Sequence, residues 1–198
     1  MRGHPLIEGV AVRWNETAAA HRALFITAAV GAAGGGLVST LRLHLGLPGH
    51  QAVLWMAPTL ACRIALRHRA GAAVGAFSAA VAVCLLRGHL MGGGALSLLF
   101  APVAGAMLDR CISFGERRSF PPGVQLVIAA AAGCLANLFC AAVRLAGPVR
   151  AHGVLFGLDR FAGFALSYAL FGLVAGLLGA GAGIVILVRG ERRRAGDG

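Results

Sequence analysis

Residues 161–188 run without a single charged side chain, and no other feature of this 198-residue chain constrains its fold as strongly. A helix crosses the hydrocarbon of a bilayer with about 17–25 mostly apolar residues, and its backbone polar groups are then satisfied within the helix itself. Two more stretches of that length, 22–46 and 123–146, are interrupted only near their ends by Arg22, Arg42 and Arg144. Three shorter ones lie at 50–66, 70–86 and 95–109, the last containing Pro102. The pattern predicts an all-α fold, a polytopic membrane bundle of six transmembrane helices joined by short loops. It divides the chain into a lead-in (1–21), a single membrane domain (22–188) and a basic tail (189–198). Residues 1–20 lack an early apolar core, so they read as an interfacial lead-in rather than a secretory signal, with Trp14 at the headgroups.

Composition points the same way. The chain is 58% hydrophobic and 13% charged, against about 45–50% and about 25% in a typical soluble domain. This excludes a disordered chain and argues against a soluble enzyme. The thirty glycines follow no three-residue period, which excludes collagen. The net charge of +11 would suggest nucleic acid in a soluble protein. Here the eighteen basic residues, all arginine, sit mostly between apolar runs and in the tail, where they act as topology signals and headgroup anchors. With six spans and the N-terminus inside, only Arg42, Arg87, Arg144, Arg150 and Arg160 fall outside. That asymmetry predicts an N-in/C-in topology, and losing one span would put the Arg192–Arg194 cluster on the wrong side. Cys62, Cys84, Cys111, Cys134 and Cys140 form no CxxC and read as small core residues.

Catalytic signatures are missing. The chain has no HExxH, no phosphate-binding GxxxxGKS/T loop and no paired aspartates. Asp109 and Asp159 lie near span ends, and a lipid- or isoprenoid-acting enzyme would need Asp109 gathered with His68 and inner arginines. The expectation is a protein that is not an enzyme and carries no cofactor.

The outward ends hold the more informative residues. Arg42 and His44 end the first span, His50 and Trp55 open the second, Arg87 and His89 follow the third, and Arg144 ends the fifth. With Asn137 in the middle of the fifth span, they form the candidate substrate-binding set. A vestibule with apolar walls and several guanidiniums suits a small molecule bearing a carboxylate or phosphate. The alternative for each arginine is that it snorkels to the interface. His44, His50, His89 and His152 all fall outside, but their spacing matches no ligand pattern, so no metal site is assigned.

Small residues are dense within the spans. Gly172/Gly176 and Gly179/Gly183 predict close helix packing within the chain, and the glycine run 34–36 predicts a local kink. Ala28/Ala32 and Ala29/Ala33 predict a small-residue face on the first span, open to packing in the monomer or to a partner helix.

Six short Ala/Gly-rich spans, both termini inside, no nucleotide-binding motif and an Ala-xxx-Ala first span resemble an S component. S components are the substrate-binding membrane subunits of energy-coupling factor (ECF) transporters. The resemblance covers residues 22–190 at the level of architecture. It implies a multi-pass protein of the bacterial inner membrane that binds a vitamin or precursor outside, for ATP-driven uptake by partner subunits. It further implies that Ala28, Ala29, Ala32 and Ala33 dock a transmembrane coupling subunit carrying two cytoplasmic ATPases. By the same resemblance the loop at 44–52, around Pro48, Gly49 and His50, roofs the pocket. The Met-His start of the nickel and cobalt branch is absent, which counts against metal-ion uptake. The rival reading is a structural or assembly subunit without a ligand.

Overall fold

The computed structural model describes residues 5–41, 49–87, 93–146 and 158–196, with side chains described over 17–41, 49–87, 98–144, 162–193 and 195–196. Among these residues there are six helices and no strand: α1 (Pro5–Thr40), α2 (Gln51–Leu66), α3 (Gly71–Arg87), α4 (Gly93–Arg117), α5 (Pro122–Ala146) and α6 (Leu158–Gly196). Four contain segments long and apolar enough to cross a membrane: Thr17–Thr40, Leu98–Arg117, Pro122–Arg144 and Ala162–Arg193. The other two are shorter apolar helices of 16 and 17 residues. The protein is therefore an all-helical membrane protein.

Successive helices run in opposite directions, as their contacts record. Gly34 of α1 lies on Leu54 and Trp55 of α2, while Gly31 and Gly35 lie on Gly75 and Ala79 of the parallel α3. Around the bundle the helices pack in the order α1, α3, α4, α5, α6, α2, and α2 also touches α3 and α4. One end of the bundle carries Thr40, His50, Arg87 and Arg144; the other carries Thr17, Arg63, Arg117 and Arg193. They are called below the His50 end and the Arg63 end.

Most of the core is alanine. Ala72, Ala104, Ala129, Ala136 and Ala175 are fully buried around the larger Met56, Leu60 and Leu108. Small side chains bring backbones close, and packing then holds the helices together where lipid removes the hydrophobic drive. Gly172 and Gly176 of α6 meet Gly133 and Ala129 of α5, and Gly179 and Gly183 meet Ala57, Ala61 and Ile64 of α2. A methyl at Gly172 would overlap the Gly133 carbonyl. The span-six glycines thus pack within the chain, as their spacing predicts. The glycines of the 34–36 run have a similar use: α1 is assigned as helix without a break through them, and Gly34 and Gly35 seat α2 and α3. Buried Thr27 and Thr59 return their hydroxyls to the carbonyls of Ala23 and Trp55, which satisfies them without a second helix.

Three helices extend beyond the segments expected from apolar pattern alone. The first takes in the lead-in from Pro5, and the last continues through the tail to Gly196. The fourth passes Asp109, where the apolar pattern stops, and ends only at Arg117. Its acids, Asp109 and Glu116, are neutralised by Arg63 of a neighbouring helix, so their polarity does not end it.

Candidate functional site

Two polar centres lie at opposite ends of the bundle, and they are built differently.

At the Arg63 end, Arg63 of α2 is completely buried. Its Nε donates to Asp109 Oδ1 of α4 at 3.0 Å. Its two terminal nitrogens grip the Glu116 carboxylate at 3.1 and 2.9 Å, and Nη2 also donates to Ser113 Oγ at 3.0 Å. This forked geometry uses the planar guanidinium fully and is among the stronger hydrogen-bonded arrangements available to a side chain. Asp109 works twice. Its carboxylate also accepts the backbone N–H groups of Ala72 at 3.1 Å and Ala73 at 2.9 Å. These belong to the first turn of α3, whose N–H groups have no partner inside their own helix. One acidic residue of α4 thereby caps α3 and neutralises α2. Gly71 permits the approach, since a Cβ there would press on the Arg63 side chain.

The sequence reading missed this centre. By sequence alone Arg63 counts as an inside topology signal and Asp109 as a span end. The available signal was an arginine within an apolar helix and an acid within another, since opposite ionisable groups at membrane depth pair with each other. Asp109 is gathered with Arg63 rather than with His68, whose Nδ1 accepts the Ala70 N–H at 3.3 Å. The Asp109 carboxylate meets three donors and Glu116 two, so the cluster ties helices together. Beside it, Ile64, Ile112, Glu116, Gln125, Ile128, Ala180 and Ile184 line a space of ≈ 20 Å³, about enough for one water.

At the His50 end, Asn137 of α5 is buried and donates from Nδ2 to the Tyr168 carbonyl of α6 at 2.8 Å. The same amide lies 3.5 Å from the Gly49 carbonyl. Arg144, two turns further along α5, donates to the Tyr168 hydroxyl at 2.9 Å. Tyr168 is thus held at its backbone and its tip. Gly49 leads into α2 with φ +83°, and a Cβ there would strike the Tyr168 ring and backbone, so the position requires glycine. His50 packs its ring edge-on against Phe171 of α6, with centroids 6.2 Å apart.

The structure thus gathers Asn137, Arg144 and His50 around α6. Arg87 is placed elsewhere: its Nη2 donates to the Val38 carbonyl at 2.7 Å, closing the last turn of α1. Trp55 is half-buried beside Gly34 of α1. Arg87 and Trp55 therefore belong to the α1 side of α2, and Asn137 and Arg144 to the α6 side. Arg42, His44, His89 and His152 lie outside the described residues. Tyr168 is the hub of this end, bound by Asn137 at its carbonyl and by Arg144 at its hydroxyl. Its signal was a tyrosine in an otherwise hydroxyl-poor helix.

On α1, Ala28 and Ala32 are half-buried, whereas Ala29 and Ala33 are exposed in line with Phe25, Ile26 and Leu37. Among the described residues, no three His, Cys, Asp or Glu side chains are placed to hold a metal ion.

The three acids whose side chains are described, Asp109, Glu116 and Glu191, stand at the Arg63 end and are paired with arginine, while Asp159 lies in the first turn of α6 at the His50 end with its side chain outside the described set. The described side chains of the His50 end include no carboxylate. Compared with protein families, curated proteins and solved structures, the chain matches none.

Proposed function

We propose that the chain is the substrate-binding membrane subunit of an ECF-type transporter, with six membrane-crossing helices and both termini in the cytoplasm of a bacterial cell. A small anionic vitamin or precursor binds at the His50 end, which faces outward. A coupling subunit with its ATPases then drives delivery inward. The observation that carries this reading is the contrast in acids: the His50 end offers guanidinium, amide and phenol donors with no described carboxylate among them. Such an end attracts a carboxylate or phosphate, since among the described side chains no carboxylate competes for these donors. Supporting the docking role, the exposed line of α1 combines small Ala29 and Ala33 with apolar Phe25, Ile26 and Leu37, a surface that suits a second membrane helix. The two short helices suit the six-span reading as well. At 16 residues α2 is about 24 Å long, and its neighbours flank it.

Purified protein titrated with a panel of carboxylate- and phosphate-bearing vitamins and precursors tests this. One member should raise the unfolding temperature, and Arg144→Gln should weaken its binding about tenfold or more, the loss expected for a hydrogen bond to a charged group. A panel without a ligand, together with isolation in complexes that lack any ATPase, would instead make the chain an assembly subunit.

A further inference from the structure

Both acids of α4 are held by Arg63 while its arginines are exposed, and this separation has a consequence at the Arg63 end. Over residues 109–118 the sequence holds Asp109, Glu116, Arg110, Arg117 and Arg118, nearly balanced on paper. In the fold both acids are engaged by buried Arg63. Arg110, Arg117 and Arg118 are exposed, and among the described residues none of them lies within 4.0 Å of a carboxylate. Between Arg110 and Arg118, which directly follows α4 and whose N–H still bonds the Phe114 carbonyl at 3.2 Å, Phe114 is 53% exposed, and the Arg118 guanidinium stands 5.7 Å from its ring centroid. Towards the middle of the bundle the face continues as exposed Leu99, Val103 and Ala106. The sequence of surfaces is therefore apolar, then aromatic with cations, within one membrane-spanning segment.

We propose that the Arg110, Phe114 and Arg118 face of α4 binds an anionic phospholipid, with the guanidiniums on its headgroup phosphate and the acyl chains along Val103 and Leu99. The two arginines are about 12 Å apart along the helix, a span that brackets one headgroup. Guanidinium is suited to phosphate because its fork matches two oxygens at once. The continuous apolar strip selects a lipid over an acidic peptide, which would meet only the cationic end of the face.

The test offers detergent-purified protein equal amounts of phosphatidylglycerol and phosphatidylcholine and counts retained lipid by native mass spectrometry. Phosphatidylglycerol should be preferred, and R110Q/R118Q should lower its retention by about fivefold for each guanidinium removed. R192Q/R193Q, which removes two exposed arginines of α6, should leave retention unchanged. F114A should lower retention of both lipids, and R118Q alone serves should the double variant fail to fold. Equal losses in R110Q/R118Q and R192Q/R193Q would overturn the proposal by reducing it to diffuse charge. So would complete displacement of the lipid by inorganic phosphate or by a polyglutamate peptide, or the absence of any preference between the lipids.

Discussion

The two ends of the bundle use arginine in opposite ways. Arg63 is buried, touches two carboxylates and a hydroxyl, and joins α2 to α4 while Asp109 caps α3. Arg87 and Arg144 are exposed and, among the described residues, donate to neutral oxygens, the Val38 carbonyl and the Tyr168 hydroxyl. A guanidinium held by carboxylates is neutralised and has little left to offer a ligand. One held by neutral oxygens keeps its charge and can accept an anion. Under the proposed function the same residue type serves architecture at one end and recognition at the other, and among the described side chains what separates the two is where the carboxylates are.

The comparison breaks most readily at Arg63. Arg63→Ala leaves Asp109 and Glu116 without their cation and should cost about 3–5 kcal/mol, read as a lowered midpoint of detergent- or heat-induced unfolding. Arg63→Ala at near wild-type stability would show that the cluster is ornamental. Gly172→Leu comes next. Its side chain collides with Gly133 and Asn137, and overpacking of this kind costs about 1–3 kcal/mol. Because the clash falls where α5 meets α6, it should also loosen the Asn137–Tyr168 contact and weaken ligand binding.

Asn137→Leu sharpens the contrast. It removes a membrane-buried hydrogen bond worth about 0.6 kcal/mol on average and up to about 1.7, so the unfolding midpoint should fall only slightly. Arg144→Gln should move stability least, within about 0.5 kcal/mol as for other exposed positions, while producing the loss of anion binding described above. A large stability loss at Arg144 with no change in binding would reverse the roles assigned to the two ends.

Much of the helical outline was legible in the sequence because lipid imposes a simple rule on length and polarity. The packing glycines were legible for a similar reason: Gly172, Gly176, Gly179 and Gly183 recur at helical spacing, and the only use for a missing side chain inside a membrane helix is close approach. The end of α4 was not legible, since Asp109 and Glu116 look like the edge of a span until Arg63 is brought to them from 46 and 53 residues away. Pairing at that distance leaves no local pattern. The candidate site was legible in part. Asn137 and Arg144 share a helix face two turns apart, and both reach Tyr168. That Arg87 bonds to α1 instead depends on the order of helices around the bundle, which the local sequence does not encode. In the sequence the exposed arginines of α4 fall between two apolar runs. Their position on a membrane-facing helix emerged only once the helix was seen to continue to Arg117.

Thermal unfolding of the wild type, Arg63→Ala and Arg144→Gln in parallel, each with and without the anionic compound that stabilises the wild type, tests the division of labour most directly. Arg63→Ala should unfold at a much lower temperature, whereas Arg144→Gln should keep the ligand-free midpoint and lose the ligand-induced rise. If Arg144→Gln keeps that rise, or Arg63→Ala keeps the wild-type midpoint, the assignment of recognition to one end and architecture to the other is wrong.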